Sequence, residues 1–153
     1  MYRIEGLKRE PFEEMFALDD AALAARGARR VVADASPGFP CRVSLSDAEA
    51  GEALILVNHV SHDVPTPYRT AFAIFVREAA EPAAFEDELP PVFAGRTLSL
   101  RGFDAGGMLK TAILAAPGET EARIEELFER ADVASIHAHT SAYGCFLAKI
   151  ERN

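Results

Sequence analysis

His137 and His139 flank a single alanine in Val133-Ala-Ser-Ile-His-Ala-His139, and Cys145 follows six positions later. Side chains alternate faces along a strand, so the two imidazoles should point the same way. An imidazole beside a thiol is the base and nucleophile of covalent catalysis, and His137, His139 and Cys145 are therefore the candidate catalytic residues. The same donor types bind tetrahedral zinc. No cofactor is assigned. In the alternative where these residues hold zinc or iron, a fourth ligand would come from Cys41, His59, His62 or Asp104.

A second set is cationic. Arg42 follows Pro40-Cys41, Arg69 follows Pro67-Tyr68, and Arg101 precedes Gly102-Phe-Asp104. Each sits among apolar neighbours, where a bare cation is costly unless paired. A guanidinium presents a planar fork that matches a carboxylate or phosphate, so Arg42, Arg69 and Arg101 are candidate ligand-binding residues. Either they converge with the histidines on a small anion, or each pairs with one of the chain's 24 acidic residues.

The elements that must position these groups can be read from pattern. Pro11–Phe16 starts a short helix, and Asp19 or Asp20 caps a second over Ala21–Arg26, with Gly27 as its stop. Arg29–Asp34 reads as a strand, and Cys41–Leu45 as a brief extended piece. Glu52–His59 has the aliphatic density of a core strand. Tyr68–Arg77 reads as a strand buried on both faces, with Phe72, Ile74 and Val76 on one and Ala71, Ala73 and Phe75 on the other. The acidic, proline-containing Glu78–Pro91 is the expected mobile stretch. Strands at Arg96–Phe103 and Met108–Leu114 are joined by Asp104-Ala-Gly-Gly107. Ile124, Leu127, Phe128 and Ala131 form the apolar stripe of a helix from Glu119 to Arg130.

A terminal hairpin follows. Holding Ile136, Ala138, Phe146, Ala148 and Ile150 on one core face predicts pairing of Ala138 with Phe146 and Ile136 with Ala148. That register sets His139 opposite Cys145 and His137 opposite Leu147. The fold class is α+β: a mostly antiparallel sheet, short N-terminal helices, and one longer amphipathic helix before a C-terminal hairpin.

At 153 residues the chain is read as a single domain, 1–153. A net charge of −8 argues against nucleic acid and against anionic membrane surfaces as partners. The N-terminus lacks the apolar core of a signal peptide. Two cysteines make no disulfide framework, so the expected location is the reducing cytoplasm with both thiols free, a single Cys41–Cys145 bridge being the other possibility. Gly106-Gly107 has neither phosphate-binding glycine frame around it.

Four segments, Tyr2-Arg-Ile-Glu-Gly-Leu7, Gly38-Phe-Pro-Cys-Arg-Val-Ser-Leu45, Thr66-Pro-Tyr-Arg69 and Ile136-His-Ala-His139 with Gly144-Cys145, together resemble a known family. It is a family of small bacterial proteins catalogued as a domain of unknown function, number twelve hundred and three. The resemblance runs from Tyr2 to about Glu151. It implies a single-domain bacterial cytoplasmic protein and brings no activity, substrate or cofactor with it.

The functional expectation is a pocket lined by arginine and histidine that binds a small anionic ligand, with turnover left open. The alternatives are a non-catalytic interaction module, a homodimer for instance, and a His/Cys metal-binding protein.

Overall fold

Local signals account for the N-terminal helices. In the computed structural model, which describes residues 1–153, strand β1 (Tyr2–Glu5) leads into α1 (Glu10–Glu13), whose first turn contains Pro11. A 3-10 turn (Glu14–Ala17) follows, then α2 (Asp20–Ala25), capped by the Asp19 carboxylate accepting from the Ala22 amide at 2.8 Å.

The strands are β2 (Arg29–Val32), β3 (Ala53–His62), β4 (Thr70–Arg77), β5 (Ala84–Glu86), β6 (Leu98–Phe103), β7 (Leu109–Ala115), β8 (Ser135–Thr140) and β9 (Phe146–Arg152). Helix α3 (Thr120–Glu129) lies between β7 and β8. The fold is α+β with two antiparallel sheets, a six-stranded one in the order β5-β1-β9-β8-β6-β7 and a three-stranded one in the order β2-β3-β4. No helix is long and apolar enough to cross a membrane.

The large sheet has two different faces. One carries Ile4, Leu98, Leu100, Ile136, Ala138, Ala148 and Ile150, which pack with Ile124 and Leu127 of α3 into an aliphatic core. Ser99, Arg101, Phe103, His137 and His139 alternate onto the other. The small sheet covers part of that second face: Phe72 on β4 meets His139, and His62 on β3 meets His137. A separate apolar cluster beneath the small sheet joins Phe12, Leu23, Cys41, Ile55 and Ile74.

The structure departs from several sequence-based expectations. Tyr2–Glu5 forms a strand between β5 and β9, and the acidic segment contains β5, which pairs with β1 through Ile4 opposite Phe85. Cys41–Leu45 is a turn anchored by isolated bridges rather than an extended piece. Strand β4 is not buried on both sides: Ala71 and Ala73 are exposed, because alanine reads as apolar yet costs little at the surface. The stripe of α3 ends at Phe128, and Ala131 lies beyond the helix in solvent.

Candidate functional site

Two β-bulges aim the site's aromatic side chains. In the terminal hairpin Ala138 pairs with Ala148 and Ile136 with Ile150, but His139 pairs with Phe146, leaving Leu147 as an extra residue. The expected register, Ala138 with Phe146, is therefore corrected. The bulge sends Leu147 into the aliphatic core and turns Phe146 onto the histidine face. On β3 the register shifts between Val60 and His62, with Ser61 the extra residue. His59 and His62 stand three apart and would otherwise face opposite ways. The bulge lets both face the same layer, where His59 packs on Phe146 and His62 on Phe103.

The result is a layer of imidazoles and phenyl rings between the sheets. The His137 and His139 rings are nearly parallel, 6.4 Å apart between centroids, and His62 sits edge-on to His137 at 4.9 Å. Phe72, Phe103 and Phe146 fill the spaces between them. The His139 Nδ1–H donates to the Gly144 carbonyl at 2.9 Å, and the His62 Nε2–H donates to the Gly107 carbonyl at 3.0 Å. Those bonds fix the tautomers. No protein group completes the hydrogen bonding of His137 Nδ1, although the residue is buried.

Burial keeps His137 and His139 uncharged. Burial, reinforced by His62, His139, Lys149 and Arg101, pushes the His137 pKa down to about 3. Burial lowers that of His139 to about 4, against the opposing pull of its bond to the Gly144 carbonyl. Both are neutral imidazoles at neutral pH. Burial also lowers His59.

The six predicted site residues do not all meet. Arg101 stands opposite His137 in the β6–β8 ladder and thus joins the histidine face. Arg69 lines a groove of about 350 Å³ together with Arg101, Tyr68, Phe103 and Leu109, and it is paired to Asp63 at 2.9 Å. Arg42 is outside the groove and buried beside the histidine layer, where its charge helps hold His139 neutral: Nε donates to the Phe146 carbonyl at 2.8 Å and Nη1 to the Pro40 carbonyl at 2.6 Å. Burial brings its pKa down to about 10. Its role is to clamp the hairpin to the turn at Pro40.

Cys145 sits opposite Thr140, not His139. The Thr140 amide donates to the Cys145 carbonyl, and the Cys145 amide donates to Thr140 Oγ1. No three His, Cys, Asp or Glu side chains are grouped to hold a metal ion. Cys41 and Cys145 are both free, and the Cys41 thiol accepts from the Arg77 amide at 3.3 Å.

Arg101 differs from every other arginine withdrawn from solvent. Arg9, Arg30, Arg77, Arg96 and Arg123 each meet a carboxylate, and Arg42 meets two carbonyls. Arg101 has no anionic partner, and its Nε makes only a long bond of 3.4 Å to Ser99 Oγ. Burial disfavours its charge.

The model of the family described as "Protein of unknown function (DUF1203)" matches residues 38–152. The chain belongs to the DUF1203 family. Neither the curated proteins nor the solved structures contain a match to it. The DUF1203 match includes β2's neighbour β3 and every strand from there to β9, hence the whole histidine layer, Arg101 and the groove. Strand β1 lies before the matched range but inside the large sheet, so the DUF1203 fold in this chain is completed by residues upstream of the match. Sequence reasoning missed His62 as a neighbour of His137, Phe72 as a packing partner of His139, and Phe146 as a partner of both. The only available signal was the odd His59-to-His62 spacing in an otherwise regular strand.

Proposed function

We propose that this protein binds a small anionic organic molecule in the groove between Arg69 and Arg101. The observation that carries this reading is the missing counter-ion of Arg101. A partly buried guanidinium without a carboxylate is unfavourable in the free protein, and a ligand carboxylate or phosphate would satisfy it bidentately. Arg69, paired to Asp63, also lines the groove, while Tyr68, Phe103 and Leu109 offer an apolar surface for the rest of the molecule. His137 and His139 stand on the strand behind Arg101 as neutral groups, which keeps the local positive charge on the guanidinium. Free thiols at Cys41 and Cys145 fit a reducing compartment such as the cytoplasm.

The test is thermal unfolding against succinate, citrate, benzoate and inorganic phosphate, with wild type beside Arg101→Met and Arg69→Ala. Saturable stabilisation by at least one anion, abolished in Arg101→Met and weakened in Arg69→Ala, is the expected result. Equal stabilisation of wild type and Arg101→Met would remove the groove from consideration.

A second reading, self-association, is favoured by one feature. Strand β7 is an edge of the large sheet, and Leu114 on it is 63% exposed. Light scattering across a concentration series tests it directly: a mass that stays at one chain excludes it.

A further inference from the structure

The groove between Arg69 and Arg101 has a charged end and an apolar end. Directly opposed residues of an antiparallel ladder share a face, so Arg101 stands beside Ala112, and Phe103 beside Leu109. Arg101 and Phe103 are separated on β6 by Gly102 alone, about 7 Å along the strand. The guanidinium lies near the β8–β9 turn, with Nη2 3.7 Å from where a Cβ added to Gly144 would be. At the other end Tyr68 meets Phe103 edge-on, their ring centroids 6.5 Å apart, and Tyr68 is 39% exposed.

A bulge sets the character of the apolar end. The β6–β7 register moves from Gly102 opposite Thr111 to Phe103 opposite Leu109, leaving Lys110 as the extra residue. In an unbroken ladder Lys110 would stand opposite Phe103 and bring a further cation to the groove. The bulge gives that place to Leu109, and Lys110 faces Asp104 at 3.9 Å. The charge of Arg69 is offset by Asp63 at 2.9 Å. The groove, about 350 Å³ in volume, therefore holds one uncompensated positive charge, that of Arg101.

Resting on the reading that Arg101 receives an anion, we infer that the ligand is a monocarboxylate with an apolar tail, and that Asp63 excludes dianions by offsetting Arg69. The carboxylate meets the Arg101 fork, and the tail lies along Phe103, Tyr68 and Leu109. A phosphate group carries close to two charges at neutral pH, one more than the groove can match. A dicarboxylate of similar length sets its second charge against the apolar end, where it loses hydration without gaining a partner.

The experiment is an NMR titration of the 15N-labelled protein with propionate, hexanoate, succinate and inorganic phosphate at neutral pH, following the Arg101 Nε–H. Hexanoate should bind about tenfold more tightly than propionate, since its extra methylenes are partly buried in an open groove. It should also bind more tightly than succinate or phosphate. Tyr68→Ala should erase the advantage of hexanoate and leave propionate unchanged, a split that a general structural loss would not produce. Asp63→Asn should raise the affinity for succinate relative to hexanoate about threefold. Succinate or phosphate binding as tightly as hexanoate, with the binding lost in Arg101→Met, would keep the anion groove and overturn the monocarboxylate. An unchanged ratio of succinate to hexanoate in Asp63→Asn would overturn the role of Asp63. No response of Arg101 to any of the four anions would overturn the anion groove itself.

Discussion

Arg101 lies directly across the β6–β8 ladder from His137, so a guanidinium without a counter-ion faces an imidazole held neutral by burial. Neither residue relieves the other. The pair is a local concentration of unmet electrostatic need in a chain whose other withdrawn arginines are all satisfied.

That imbalance makes Arg101 a residue whose removal should help the free protein. Arg101→Leu is expected to raise stability by about 0.5–1 kcal/mol, as relief of a functional site often does, while abolishing stabilisation by anions. Urea unfolding with and without the best anion measures both effects. A destabilised Arg101→Leu would show the guanidinium to be structural.

Arg42 should behave oppositely. Its guanidinium satisfies the carbonyls of Phe146 and Pro40 inside the protein, so Arg42→Met leaves two buried acceptors unmet. The cost should be about 2–4 kcal/mol, read from the urea midpoint. Arg42→Lys should recover less than half, since one ammonium does not reproduce the two divergent bonds. Full rescue by lysine would mean that charge, not the fork, matters there.

The neutral histidines tie stability to pH. The unfolded chain takes up protons as pH falls below 6.5, while folded His137 and His139 resist until about 3 and about 4. Stability is therefore complete above 6.5 and declines as pH drops from there toward 4. Between about pH 7.5 and about pH 5 the loss should be on the order of 2 kcal/mol per histidine. His137→Leu should flatten that slope in urea titrations. An unchanged slope would assign the pH dependence to other groups.

Gly107 ties the loop between β6 and β7 to the end of β3. Its carbonyl accepts from His62 and from Thr66 Oγ1, its φ is +85°, and an added Cβ would lie 2.8 Å from Val64 Cγ1. Gly107→Ala is expected to cost about 1–3 kcal/mol. Gly106→Ala, whose nearest neighbour would be Asp104 Oδ1 at 3.4 Å, should stay within about 0.5 kcal/mol of wild type in the same thermal scan.

Much of this architecture was legible in the residues and some was not. The apolar density of β3, the stripe of α3 and the alternation of His137 with His139 are strong periodic signals, and each element is where its pattern put it. The hairpin register failed because Leu147 and Ala148 are both apolar, so parity could not reveal which was extra. Strands β1 and β5 have four and three residues, too few for a period to emerge. The meeting of His62 with His137 depends on a bulge and a long-range docking of two sheets, neither of which leaves a local trace.

The placement of β1 between β5 and β9 has a consequence for how the molecule is made. Tyr2 pairs with Arg152, so the first strand of this sheet waits for β9 before its ladder can close. A nascent chain stalled before Phe146 would present two unzipped margins, β1 and β8, on either side of the missing strand. The chain ordering thus delays completion of the large sheet until β9 has been made, a high-contact-order closure that favours slow folding.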